Sequence, residues 1–126
     1  MGQDLHLKLT IRIYSGDDQR CFGPGIATLL HRVEAHRSLR AAAASMGMAY
    51  SKAWRIVHTA ESVFGCKLLS STIGGAGGGG AVLTDQAVQL LAAYDAYCAD
   101  VQAYSRARFE EAFGSGLGTG QKGADR

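Results

Sequence analysis

Residues 38–65 read SLRAAAASMGMAYSKAWRIVHTAESVFG, and the punctuation of this stretch decides the architecture. Ser38 stands where a helix N-cap belongs, because a serine hydroxyl accepts a free backbone N–H of the first turn. The alanines at 41–44 give high helix propensity and a thin profile, so this helix is expected to lie packed between neighbours. Gly47 ends it as a residue able to take positive φ. A further helix starts near Ser51 and closes at Gly65. Its inward face is expected to carry Ala53, Trp54, Val57, Ala60 or Glu61, and Phe64. Two helices joined across a short turn containing glycine form a helix-turn-helix signature.

Working outward, residues 5–14 alternate strictly. Leu5, Leu7, Leu9, Ile11 and Ile13 fall on one side and His6, Lys8, Thr10, Arg12 and Tyr14 on the other, which predicts a half-buried strand. Residues 15–25 carry turn-forming glycines and acids. Ile26, Leu29, Leu30 and Val33 then fall at helical spacing behind Pro24, predicting a helix over 26–37. On the other side lie two short strand-like runs, 66–73 and 81–84. They flank the glycine-rich stretch IGGAGGGGAVLT at 73–84.

Those glycines suit a hairpin tip best. A P-loop needs a lysine directly after its glycines, and none follows here. A dinucleotide turn leads straight into a helix, whereas Ala81, Val82 and Leu83 intervene as a returning strand. Glycine supplies the positive φ of tight hairpin turns and leaves the backbone free to approach a surface. Thr84 then caps a long helix, with Asp85 complementing its dipole. Apolar positions run through Ala87, Leu90/Leu91, Tyr94, Tyr97/Cys98, Val101, Tyr104 and Arg108/Phe109, close to a 3.5-residue repeat. Either a partner helix covers that stripe or the helix folds back over its own core; the repeat favours a homodimer seam.

The order of elements is thus strand, helix, helix, turn, helix, strand, hairpin tip, strand, long helix. The expected fold class is mainly α with small β (α+β): a winged helix-turn-helix with an N-terminal strand, a Gly-rich β-hairpin wing and a long C-terminal dimerisation helix. One DNA-binding domain is expected over 1–113, including the dimerisation helix at about 84–113, with a disordered tail at 114–126.

Composition narrows the function. The chain of 126 residues suits one domain, and 47% apolar content is enough for a core. No apolar run is long enough to span a membrane, and the N-terminus has no secretory pattern, so no membrane partner is expected. Three scattered cysteines, Cys21, Cys66 and Cys98, without CxxC or zinc spacing, fit reduced thiols in a cytoplasmic protein with no metal and no cofactor. Net charge is only +2, but residues 36–67 hold Arg37, Arg40, Lys52, Arg55 and Lys67 against Glu61 alone. That concentration points toward a polyanion, with a merely solvated face as the alternative. No nucleophile–base grouping or paired carboxylates are visible, so an enzyme is not expected.

Three segments carry a resemblance: FGPG (22–25), AAAASMGMAYSKAW (41–54) and GGAGGGGAVLT (74–84). Together they resemble the N-terminal DNA-binding domain of ModE-type molybdate-responsive regulators, within the LysR-like winged helix-turn-helix group. The resemblance covers about residues 5 to 110. It implies a transcriptional regulator that binds an inverted-repeat operator in double-stranded DNA as a homodimer. Family members carry a C-terminal module that binds molybdate. Residues 114–126 leave no room for one, so the expectation is a regulator lacking its own molybdate-binding domain, with a separate oxyanion-sensing protein as a possible partner. The alternative is a small-oxyanion (molybdate) binding or metal-homeostasis accessory protein. Here Ala49 replaces the usual capping serine of the turn. The wing offers Ser70, Ser71 and Thr72 where cations are usual, which predicts weaker and less salt-sensitive DNA binding.

In a helix-turn-helix the first turns of the second helix of the pair enter the major groove. Tyr50, Ser51, Lys52 and Arg55 sit there. Lys52 and Arg55 can reach a guanine edge or a phosphate, and Ser51 either. For Arg55 the alternative is a surface salt bridge, with Glu61 or with an acid on the partner. Tyr50 either touches the DNA or staples the turn. Ser38 and Arg40 are phosphate candidates, with Ser38 also the cap. Gly75, Gly77 and Gly78 either bring the wing backbone against DNA or simply close the hairpin. Trp54 is expected in the core.

Overall fold

The computed structural model describes residues 4–72 and 80–114. Among the described residues there are four helices, which we number α1 (Pro24–His36), α2 (Leu39–Ser45), α3 (Tyr50–Phe64) and α4 (Asp85–Phe113). Strands β1 (Ile13–Tyr14) and β2 (Arg20–Phe22) pair antiparallel, as do β3 (Leu69–Thr72) and β4 (Gly80–Leu83). The fold is mainly α with small β, and α2, turn, α3 and a β3–β4 hairpin follow in the order of a winged helix-turn-helix. The described residues divide into two compact units, one within 10–95 and one within 4–9 and 96–114.

Local chemistry sets the ends of the helices in the larger unit. Pro24 occupies the first turn of α1. Its fixed φ suits that position and its missing N–H costs nothing there. Ser38 Oγ accepts from the Ala41 N–H at 3.0 Å and so caps α2. Gly47 and Gly65 follow α2 and α3 in the left-handed region, at φ 65° and 71°. Thr84 works in two directions: its Oγ1 accepts from the Ala87 N–H at 3.1 Å and donates to the Lys67 carbonyl at 2.7 Å. It thereby ties the start of α4 to the start of the hairpin. Substituting Ser38 by alanine orphans one N–H of α2, and we expect a loss of about 0.5–2 kcal/mol in urea unfolding.

The core of this unit is built on Phe22, Leu29, Leu30, Val33, Val57 and Leu68, all fully buried. The thin profile of α2 serves as expected. Ala42 and Ala43 are buried to 0% and 1% exposure, and α2 packs against both α1 and α3. Phe22 meets the rings of Tyr94 and Phe64 edge-on, with centroids 5.0 and 6.1 Å away. Tyr94 also donates its hydroxyl to the Ile11 carbonyl at 2.7 Å.

The N-terminal strand is shorter than the alternation predicts. Only Ile13 and Tyr14 of residues 5–14 form a ladder, and the register shifts between them. The partner β2 has three residues, so the ladder cannot lengthen. Leu5 and Leu7 are exposed at 60% and 37%. Alternation specifies two faces but does not supply a neighbouring strand, and no other described strand pairs with this one.

The hairpin keeps a regular register, Leu69↔Leu83 through Thr72↔Gly80. Gly80 is required by a close approach. A Cβ there would lie 2.6 Å from the Arg37 carbonyl oxygen, the same oxygen that accepts from the Ala81 N–H at 3.0 Å. Glycine at this position lets the hairpin dock on the α1–α2 junction.

In the smaller unit, Cys98, Val101 and Phe109 are half-buried, and Tyr97 and Tyr104 are exposed at 60% and 70%. The rings of Phe109 and Phe113 lie 5.4 Å apart, and Arg108 pairs with Glu111. No helix among the described residues is long and apolar enough to cross a membrane.

The cysteines differ in accessibility. Cys21 is buried, its thiol donates to the Ile13 carbonyl at 3.4 Å, and burial pushes its pKa up. Thiolate is the reactive form, so Cys21 is the slowest to react. Timed alkylation with iodoacetamide at pH 8, read by peptide mass mapping, should label Cys66 and Cys98 first.

Candidate nucleic-acid interface

Helix α3 turns a buried face to the core through Ala53, Val57 and Ala60. At about 100° per residue, Ser51 and Arg55 then lie opposite that face, on the crest of the helix. Both are exposed, as is Lys52. Arg55 makes no ion pair among the described residues. The alternative pairing with Glu61 is absent because that carboxylate faces elsewhere. Glu61 is 9% exposed, and its Oε2 accepts from the N–H groups of Leu68 and Leu69 at 2.8 and 3.4 Å. Its Oε1 lies 3.8 Å from His58 and 3.9 Å from Lys67. Glu61 therefore anchors the start of the hairpin to α3, and Arg55 remains available to a ligand.

One flank of α3 faces the hairpin. A groove of about 390 Å³ there is lined by Ser38, Arg40, Tyr50, Trp54, Lys67 and Ser70, among others. The guanidinium of Arg40 sits 4.2 Å over the ring of Tyr50. This cation–π contact staples the first turn of α2 to the first turn of α3 and fixes where both present their ends. Tyr50 thus has a role in the turn while remaining 38% exposed. Ser38 is half-buried, and its oxygen is committed to the cap.

Trp54 does not enter the core. It is 46% exposed and stacks on His58, with centroids 3.6 Å apart and rings 18° from parallel. His58 Nδ1 donates to the Trp54 carbonyl at 2.9 Å, which holds the pair in place. Trp54 lies about a quarter-turn from the middle of the buried face, and the alanines of α2 and α3 leave no room there for an indole. Phe64 is likewise exposed at 36%, although its edge reaches Phe22. The Trp54–His58 shelf is a feature of the groove that residue type alone did not reveal; helical phase was the signal for it.

Of the nine predicted site residues, Ser38, Arg40, Tyr50, Ser51, Lys52 and Arg55 lie around the start of α3, whereas Gly75, Gly77 and Gly78 fall outside the described residues. The described residues contain no group of three or more His, Cys, Asp or Glu side chains able to hold a metal ion.

The site is thus an exposed helix with Ser51 and Arg55 on its crest and Lys52 on one flank, bordered on the other flank by the β3–β4 hairpin. No protein-family model matches the chain. It is similar to the molybdenum-pterin-binding protein MopB of Rhodobacter capsulatus, with 34% identity over 68% of this chain and 36% of that protein. It is also similar to the molybdenum transport protein ModE of Herbaspirillum seropedicae, with 36% identity over 70% of this chain and 29% of that protein. These matches support a relation to the ModE/Mop group of molybdenum-linked proteins. The matched stretch spans about a third of the length of these relatives.

Proposed function

We propose that the chain is a sequence-specific DNA-binding transcriptional regulator rather than an enzyme, reading an inverted-repeat operator as a homodimer. One observation carries this reading: the crest of α3 presents Ser51 and Arg55 to solvent, with Lys52 exposed on one flank and no acidic partner for Arg55 among the described residues. A helix about 10–12 Å across fits a major groove about 12 Å wide. Arg55 then faces base edges, and Arg40 and Lys67 on the hairpin flank face phosphates. The exposed Tyr97 and Tyr104 of α4 are the surface offered to a second copy of the chain. Such a protein acts in the cytoplasm, on the chromosome.

Binding of a fluorescent random-sequence duplex, followed by anisotropy against salt, tests the reading. Measurable affinity at about 50 mM salt, falling steeply toward about 200 mM, is the expected result. No binding at low salt would contradict it.

The names of both relatives favour a second reading, a molybdate-binding or molybdenum-homeostasis role, exercised directly or through a separate oxyanion-sensing protein. Equilibrium dialysis against molybdate separates the two. Saturable uptake by this chain without any DNA affinity would replace the first reading with the second.

A further inference from the structure

The flank of α3 opposite the hairpin holds a second groove, of about 490 Å³, and its charge is of one sign. Arg12, Arg20, Lys52 and Arg55 line it, and no acidic residue does. All four are exposed, and none forms an ion pair among the described residues. They come from three separate places: the segment before β1, strand β2 and helix α3.

The neutral part of the wall includes Phe22, Pro24, Ile26 and Ile56. An apolar wall beside like charges focuses their field into the groove. Gathering four cations without counter-charges costs free energy that a bound anion recovers. The backbone is shaped for this arrangement. A Cβ at Gly23 would come within 3.3 Å of Arg12 Cγ, so the bare backbone lets the Arg12 stem lie over the start of α1. That start has no side-chain cap and no acidic residue in its first turn, which leaves the field there positive as well.

We infer that this groove is a second phosphate clamp, which grips the DNA backbone on the side of α3 away from the hairpin. The inference rests on the DNA-binding reading above. A helix seated in the major groove has one phosphate strand along each flank. The hairpin flank meets one strand through Arg40 and Lys67. The strand on the other flank passes over Arg12 and Arg20. Lys52 and Arg55, which line the same groove, join this clamp to the base-reading crest.

The test compares the wild-type full chain with R12Q/R20Q in duplex binding across salt, with circular dichroism melting of each. Two lost phosphate contacts should lower the steepness of the log affinity–log salt line by about two and weaken binding about 10- to 100-fold at low salt. R12K/R20K, which keeps the charges, should restore most of the slope. Because Arg12 packs over Gly23, R20Q alone is the second variant, with an expected change in slope of about one. Wild-type binding with an unchanged slope in R12Q/R20Q and R20Q would overturn the clamp and leave the DNA reading standing. Absence of duplex binding by the wild type would overturn both. Saturable uptake of inorganic phosphate or molybdate that R20Q abolishes, with no change in duplex binding, would also overturn the clamp, since the groove would then serve a free oxyanion.

Discussion

Replacing Phe22 by alanine should lower the free energy of unfolding by about 3–5 kcal/mol, the range for deleting a buried phenylalanine ring. Phe22 is 1% exposed and joins three parts of the larger unit. It ends β2, it meets Phe64 at the end of α3, and it meets Tyr94 on α4. The two edge-on ring contacts add to its burial. Its neighbours are tied down elsewhere, Tyr94 by its hydrogen bond to Ile11, so the cavity cannot close by collapse. A domain of this size has about 5–15 kcal/mol in all, so the variant should be marginal at 37 °C. Phe22→Leu should keep most of the stability. Urea unfolding followed by circular dichroism checks both, and a loss below about 1 kcal/mol for Phe22→Ala would show that the ring is not a keystone of this core.

Replacing Arg55 by alanine should weaken specific DNA binding by about 1–3 kcal/mol, or about 5- to 150-fold. The melting temperature should hardly move. Arg55 is exposed on the crest of α3 and makes no ion pair among the described residues, so its removal breaks nothing inside the fold. Arg55→Lys should keep much of the non-specific affinity but relax discrimination at one base pair, because lysine cannot reproduce the two-pronged contact of a guanidinium with guanine. Titration against the preferred duplex and against a duplex changed at that base pair separates the two effects. Unchanged specific binding in Arg55→Ala would remove this residue from the interface.

The elements that could be read from sequence are those whose causes are local. Ser38, Gly47, Gly65 and Thr84 mark boundaries through contacts within a few residues of themselves, and their helices end where they stand. The β3–β4 pairing is legible because two short strand-like runs, 66–73 and 81–84, flank a glycine-rich segment. The strand is shorter than the alternation over 5–14 implies, because a ladder needs a partner and β2 supplies only three residues of one. Trp54 lies outside the core although its chemistry suggests burial, because the contact between α2 and α3 is lined by alanines. The spacing puts Glu61 at the edge of the inner face, but its role depends on the N–H groups of Leu68 and Leu69, which only the folded hairpin brings to it. In the site, Lys52 and Arg55 are legible together because they share one helix. Their grouping with Arg12 and Arg20 is not legible in sequence, since it exists only after the segment before β1, strand β2 and α3 converge.

The central claim is that a pair of these chains reads DNA through α3. In vitro selection from random duplexes on the purified protein, near physiological salt, tests it most directly. We predict enrichment of an inverted repeat whose half-site centres lie about one or two helical turns apart, the spacing that two symmetry-related reading helices require. An enriched pool without twofold symmetry, or no enrichment at all, would contradict the account.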